Sequence, residues 1–329
     1  MNLPLSVLDL SPVGAGVTPS QAIRESVELA RVADTLGFTR YWVAEHHNMA
    51  SIATSAPEVL IAHIAATTPR IRVGAGGIMI PNHSPVHVVE MFRTLEALHP
   101  NRIDLGLGRA AGTDPITAAA LRRSDDPEVN QLLAELLAFE RGEFPPSHPF
   151  AKIEPMPSDV RCQSIWMLGS TLAGASIAAQ LGVPYAFAGH FAMRQAKEAI
   201  AHYRSHFKPS SQLAEPYAML AVTAVCGADE AEAQRLAAPI RVAVVKNRTG
   251  RRAPIVSIEE ALAYRFSPEE QAIADEFFMG AVIGGPADVA GKLAALARET
   301  TANELMLSTL VPDVAARRAS LERIAALLL

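Results

Sequence analysis

The sequence predicts a single (β/α)8 TIM barrel carrying insertions. Three observations lead there: eight short apolar runs, a helical pattern between successive runs, and no division of the series into two halves. Strands that alternate with helices form a parallel sheet with the helices packed outside it. Eight such units close into a barrel. An open doubly wound sheet is the competing architecture, and the count of eight in one unbroken series favours closure. The 329 residues are long enough for two average domains, but α/β barrels commonly use this length as one. Residues 1–329 are therefore read as one domain.

Leu5–Leu10 is the first strand, broken by Pro12, Gly14 and Gly16. Thr18 opens a helix with Pro19 in its first turn, where the missing N–H has no helical partner to lose. Ile23, Val27, Ala30 and Ala33 recur at helical spacing, and Gly37 stops that helix. Tyr41–Ala44 is the second strand, and a helix around Glu58–Ala66 follows it. Ile71–Ile80 is the third strand, Val86–Leu98 a helix, and Arg102–Leu107 the fourth strand. Pro127–Glu140 has a helical pattern. Phe144–Pro157 carries several prolines and reads as a surface excursion, with a short edge hairpin as the alternative.

Ile165–Leu168 is the fifth strand, Ser176–Leu181 a helix, Tyr185–Ala188 the sixth strand and Met193–Phe207 a helix. Tyr217–Cys226 is the seventh strand. Asp229–Ala238 begins the next helix, with acidic residues in its first turn. Between Arg241 and Phe278 the pattern turns irregular and locally basic, at Lys246, Arg248, Arg251 and Arg252. A connection this long is usually functional or mobile, so 241–278 is read as a lid or a plain surface insertion. Glu304–Ser308 is the eighth strand, and Val314–Leu328 the last helix.

Half of the residues are hydrophobic and 19% charged, the balance of a soluble globular protein with a large core. Cys162 and Cys226 are the two cysteines. They are too few for a disulfide framework and not spaced for structural zinc. A reducing cytoplasm is the expected location. The N-terminus shows no basic stretch followed by a long apolar run, so neither a signal peptide nor a membrane span is expected. A net charge of -5 gives no electrostatic footprint for nucleic acid. The expected partner is a small molecule.

In this fold the reacting groups lie at the C-terminal ends of the strands. That rule selects Glu45, His46 and His47 after the second strand, and Gly76, Gly77 and Asn82 after the third. It also selects Gly108 and Arg109, then Gly169, Ser170 and Thr171, then Gly189, His190 and Phe191. Such a ring of histidine, small residues and hydroxyls suits an aromatic, phosphorylated cofactor set against a general base. Three features compete with this reading. Gly106-Leu-Gly108-Arg-Ala-Ala-Gly112 resembles a dinucleotide fingerprint, but its spacing is one residue too long. Glu45, His46 and His47 invite a metal, yet neighbouring strand residues point to opposite faces. His83 and His87 are four apart, but Pro85 lies between them, and loop packing is the plainer reading. Glu45-His46-His47 equally fits a hydrogen-bonded strand end without catalytic duty. Ser170 and Thr171 fit a helix cap, which is compatible with an anion site at a helix start.

At these residues the chain resembles the luciferase-like monooxygenase superfamily. Tyr41-Trp-Val-Ala-Glu-His-His47 is similar to its E-H-H strand end. Val73-Gly-Ala-Gly-Gly-Ile78, with Pro81 and Ser84-Pro85, resembles its third strand and the approach to the next helix. Arg102-Ile-Asp-Leu-Gly-Leu-Gly-Arg109 resembles the fourth strand, and Ile165-Trp-Met-Leu-Gly-Ser-Thr171 the fifth. Pro184-Tyr-Ala-Phe-Ala-Gly-His-Phe191 is similar to an uncharacterised bacterial branch rather than to luciferase itself. Each motif alone is weak, but the set occurs in the family's order across most of the chain.

The resemblance implies a monooxygenase that uses FMN reduced by a separate flavin reductase, with dioxygen and an organic substrate. It implies that His46 transfers protons and that Gly76–Gly77 is a cis peptide beneath the flavin ring; Glu45, by its position beside His46, is expected to orient that ring or tune its basicity. It further implies that Arg109, Ser170 and Thr171 contact the FMN phosphate, and that the protein is a homodimer packed through Glu58–Ala66 and Val86–Leu98. Gly108 stands where luciferases have a reactive cysteine, so light emission is not implied. Ser170 replaces an acidic residue of the luciferase version. The phosphate residues follow strands four and five, not seven and eight as in many barrels. Two rival functions remain: a dehydrogenase using deazaflavin (F420), and a flavin-binding protein without turnover. The substrate is not legible, because fold does not dictate it.

Overall fold

The computed structural model describes residues 3–121 and 128–329. Eight parallel strands form the barrel wall: β1 (Leu5–Asp9), β2 (Arg40–Val43), β3 (Arg72–Ala75), β5 (Ile103–Gly108), β6 (Ile165–Gly169), β7 (Tyr185–Ala188), β8 (Ala218–Cys226) and β10 (Glu304–Ser308). Pairing of β10 with both β1 and β8 closes the ring. Two short strands complete the set. β4 (Ile78–Met79) pairs with β5 beyond the end of β3. β9 (Val282–Gly284) pairs with the last residues of β8.

The helices lie outside: α1 (Pro19–Leu36), α2 (Pro57–Thr67), α3 (Pro85–Leu98), α4 (Pro115–Leu121), α5 (Val129–Arg141), α6 (Leu172–Leu181), α7 (Gly189–His206), α8 (Glu230–Arg248), α9 (Ile258–Ala263), α10 (Pro268–Phe278), α11 (Pro286–Thr300) and α12 (Val314–Leu328). Local chemistry sets their limits. Thr18 caps α1 by accepting from the Gln21 N–H, and Gly37 ends the helix at φ 90°, a left-handed turn that glycine adopts without steric cost. Ser257 and Ser267 begin α9 and α10 with reciprocal capping boxes to Glu260 and Glu270.

The alternation of the strands divides the core in two. Outward residues such as Val7, Val43, Val73, Leu105 and Leu307 pack against the helices. Inward residues Leu8, Trp42, Trp166, Met219 and Met306 fill the barrel. Below them the barrel floor is ionic. Asp104 is buried and pairs with Arg40 at 2.9 Å and Arg72 at 2.6 Å, and accepts from Trp42 Nε1 at 3.0 Å. Glu304, also buried, pairs with Arg40 at 3.1 Å and accepts from Tyr217 Oη at 2.8 Å and from Ser6. Burial opposes ionisation of Asp104, but the two guanidinium groups outweigh it and hold its carboxyl below the usual range.

Several sequence expectations need correction. The third strand is not continuous over Ile71–Ile80: it breaks at Gly76–Gly77 and passes into a 3-10 turn at Ile80–Asn82. The helix expected at Ser176–Leu181 starts at Leu172, directly after Ser170 and Thr171. In the helix expected from Pro127, the first residue lies outside the described residues, Glu128 is the N-cap, and the rest belongs to α5. Residues 144–157 form turns, as the surface-excursion reading expects, and the alternative hairpin is absent. The segment 241–278 is mostly helical, because α8 runs on to Arg248 and α9 and α10 follow. Its residue Ile255 bonds through its backbone to Val13 and Ala15 at 2.8 Å each, and Arg252 pairs with Asp114 at 2.8 Å. α4, β9 and α11 were not anticipated. Among the described residues, no helix is long and apolar enough to cross a membrane.

Candidate active site

The mouth at the C-terminal ends of the strands opens on a cavity of about 610 Å³. It receives His46 from the end of β2, Gly76 from β3, Arg109 from β5, Ser170 and Thr171 from β6, and His190 from β7. Gly77 lies just behind the wall, and the Gly76–Gly77 peptide bond is cis. A side chain would clash with backbone at Gly77 and would force Leu8 to shift at Gly76. A Cβ on Gly76 would stand 2.9 Å from Leu8 Cδ1, and one on Gly77 would stand 2.7 Å from the Gly106 carbonyl oxygen.

One sector of the cavity suits an anion. Thr171 is the N-cap of α6, and its hydroxyl accepts from the Gly174 N–H at 3.4 Å. The Arg109 guanidinium lies beside this helix start, 3.6 Å from where a Cβ of Gly174 would be. Free N–H groups at a helix start, a hydroxyl and a cation together make a site for phosphate. The remaining wall is largely apolar, with Leu8, Leu10, Met79, Phe187 and Met306.

Of the residues that line the cavity, His46 and His190 are the titratable groups with strongly displaced values. Burial pushes each imidazole down to about 4, so both are neutral at pH 7. The Nδ1 atoms of both are buried without a hydrogen-bond partner.

Glu45 is placed differently from its neighbour. It is fully buried, outside the cavity wall, and no hydrogen bond joins it to the His46 ring. Its carboxylate accepts from the Met79 N–H (2.7 Å), Asn82 Nδ2 (2.9 Å), His83 Nε2 (2.9 Å) and His47 Nε2 (2.8 Å). Burial alone would raise its pKa, but His83, Asn82 and the Met79 N–H outweigh that and lower it. His83 responds in kind: burial works against its charge, and Glu45 raises its pKa above the ordinary value. Glu45 makes no orienting bond to the His46 ring, but its charge raises the His46 pKa against the effect of burial. Glu45 anchors β4, which carries Met79 into the cavity wall. His47 does not line the cavity, and its ring bonds to Glu45 instead.

Sequence reasoning placed His46, Arg109, Ser170 and Thr171 on one cavity, with Gly76 among them. It left His83 as loop packing, and it did not foresee Glu128, Val129 and Asn130, which reach the rim from the start of α5. No local signal marks those three, because a long connection brings them back over the mouth.

The luciferase-like monooxygenase family model matches residues 3–304. The chain belongs to the luciferase-like monooxygenase family. An Escherichia coli K12 luciferase-like monooxygenase is 39% identical over 320 residues, covering 96% of this chain and 94% of the relative. The Bacillus subtilis N-acetyl-S-alkylcysteine monooxygenase is 35% identical over 321 residues, covering 96% and 95%. Among solved structures, apo-MsnO8 superposes with a TM-score of 0.91 at 36% identity, covering 99% of this chain and 98% of that one. As a luciferase-like monooxygenase, the protein is an oxidoreductase on a closed parallel barrel, with its cavity where that fold places reactive groups.

Proposed function

We propose that this luciferase-like monooxygenase is the oxygenating half of a two-component system, taking reduced FMN from a separate reductase and using dioxygen on a small organic substrate. The observation that carries this reading is the cavity's division into an anion sector, formed by Arg109 and the start of α6, and an apolar chamber lined by neutral histidines. A monophosphorylated, aromatic cofactor fits that division: the phosphate meets Arg109, Ser170 and Thr171, and the close approach allowed by Gly76 leaves room for a ring. Reduced flavin bound there would supply the electrons that activate dioxygen.

The chain's own groups then have distinct tasks. Arg109 and the two hydroxyls hold the phosphate. The apolar wall excludes water, which strengthens every polar interaction inside it. His46, kept neutral by burial and lining the cavity, takes or returns a proton there. Glu45 supports the site from behind, by fixing Met79. Family membership favours FMN over a deazaflavin, since a monooxygenase must deliver electrons to dioxygen, whereas a deazaflavin serves hydride transfer.

Cys162 and Cys226 are both free, which suits a reducing cytoplasm. Val59 of α2 and Leu98 of α3 are 66% and 64% exposed, which suits a homodimer packed through these helices; light scattering showing monomer alone at micromolar concentration contradicts it. The segment 241–278 acts as a fixed part of the rim, because Phe277 of α10 packs on Phe191 at 6.3 Å between ring centroids.

The deciding experiment compares Arg109→Ala with the unsubstituted protein in FMN and riboflavin titrations. Loss of FMN affinity with riboflavin affinity retained supports the assignment, and equal losses reject it. Oxygen uptake with reduced FMN, set against binding of deazaflavin, separates the monooxygenase from the dehydrogenase. Flavin binding that never alters the rate or products of reduced-FMN oxidation identifies a protein without turnover.

A further inference from the structure

The anion sector stands on a very short turn: Ser170 and Thr171 alone lie between the end of β6 and the start of α6. Both hydroxyls assigned to the phosphate belong to that turn, so its placement decides whether they face the cavity. A side chain from the neighbouring strand holds it. Tyr185 is the first residue of β7, is wholly buried, and does not line the cavity. Its Oη donates to the Thr171 carbonyl at 3.2 Å. That oxygen also receives the first helical bond of α6, from the Ala175 N–H at 3.3 Å. One phenol therefore ties the residue that caps α6 to the barrel wall.

Two glycines bring the turn within reach of that phenol. A Cβ on Gly169 would stand 3.3 Å from Tyr185 Oη, and one on Gly174 would stand 3.5 Å from it. The same Cβ on Gly174 would lie 3.3 Å from the Gly169 Cα, so the strand end and the first turn of α6 close on each other beside the hydroxyl. Arg109 belongs to the same place. Its Nη2 is 3.6 Å from that Gly174 position, and its charge lowers the Tyr185 pKa. Burial outweighs that pull and raises the pKa, so the phenol keeps the proton it donates. The ring is fixed in turn by Tyr203 of α7, at 5.4 Å between centroids, and by Phe187, at 6.2 Å. Support of this kind pre-organises polar groups, because a turn that wandered would lose binding free energy in being ordered by the ligand.

We propose that Tyr185 is a positioning residue for phosphate binding: through the Thr171 carbonyl it holds Ser170, Thr171 and the start of α6 in place beside Arg109. This rests on the phosphate reading of that sector and adds to it a residue that does not touch the ligand.

The test measures FMN and riboflavin affinities by fluorescence titration for Tyr185→Phe, Tyr203→Phe, Arg109→Ala and the unsubstituted protein. Phenylalanine keeps the ring and its packing and removes the hydroxyl alone. Tyr185→Phe should weaken FMN by roughly three- to tenfold, the equivalent of one hydrogen bond, and leave riboflavin within about twofold. Tyr203→Phe removes a phenol from the same stack whose Oη serves the Val183 carbonyl at 2.9 Å, and it should leave the ratio of the two affinities unchanged. A hydroxyl that serves structure alone weakens both flavins alike, and that result in Tyr185→Phe overturns the proposal. So does unchanged FMN affinity in Tyr185→Phe, or a Tyr203→Phe variant that shifts the ratio as far. Failure of the unsubstituted protein to bind FMN, or equal losses of FMN and riboflavin in Arg109→Ala, rejects the phosphate reading and the role of Tyr185 with it. Selective loss of FMN in Arg109→Ala without selective loss in Tyr185→Phe rejects Tyr185 alone.

Discussion

At the scale of single residues, two adjacent histidines have different fates. His46 faces the cavity and His47 bonds to buried Glu45. His46→Ala should lower turnover by roughly 10²–10⁴-fold, the usual contribution of general acid–base help, while FMN affinity stays nearly constant. His47→Ala should act on stability instead. Full activity in the first variant together with abolished activity in the second would reverse the assignment. Proton linkage gives a second expectation. His46 and His190 titrate at about 4 in the fold against an ordinary 6.5, so the unfolded chain takes up their protons first as pH falls. Their share of stability is complete above pH 6.5 and declines towards pH 4. Urea midpoints at pH 7 and pH 4.5 should therefore differ, and His190→Asn should reduce the difference. An unchanged slope in that variant would show that His190 is not buried as a neutral ring. The strand-end rule was enough to find His46, Arg109, Ser170 and Thr171 in the sequence. It cannot reveal that His190 and His46 share one cavity, because that depends on closure of the ring.

Among the elements, β4 has little sequence of its own to hold it. It is two residues long, and its Met79 N–H is held by the carboxylate of Glu45, which also binds Asn82 and His83. Glu45→Gln puts an amide among donors and leaves at least one of them unpaired. It should cost roughly 1–3 kcal/mol of stability, measured by urea unfolding, and should distort the Met79 side of the cavity. A variant as stable as the parent would mean that β4 is held by its pairing with β5 alone. The linkage of His83 runs opposite to that of His46. Its folded pKa is raised, so its contribution is present below pH 6.5 and is lost as pH rises through the folded value. Most strands were legible because short apolar runs bounded by glycine and proline leave few alternatives. The break between β3 and β4 was not, since Ile71–Ile80 is apolar throughout and hydrophobic pattern alone does not show where a chain changes direction. α4, β9 and α11 were missed for another reason. They fall in connections where the alternation of one strand and one helix lapses.

For the molecule as a whole, the barrel is sealed at one end by charge and open at the other. Asp104→Ala would leave Arg40, Arg72 and the Trp42 N–H facing an empty position, and breaking a buried pair in this way costs roughly 3–5 kcal/mol. Denaturant unfolding of that variant should show the loss while FMN affinity changes little, because Asp104 does not line the cavity and reaches it only through Trp42. A loss below that range would indicate that water enters and solvates the floor. The number of strands was readable from the sequence, and so was closure. The route by which β8 serves two partners was not. Through Thr223 it pairs with β10 as barrel wall. From Ala224 to Cys226 it pairs with β9, and Val225 packs with Leu236, Ile240, Phe278 and Ile283 in a separate cluster. That sharing bears on how such a protein can be recombined with its relatives. The polypeptide from Ala224 to Gly284 behaves as one cassette: a chimera with crossovers just outside it inherits a matched strand pair and its cluster. A crossover at Gly227 joins half of the pair to foreign helices, and such chimeras should accumulate as insoluble protein.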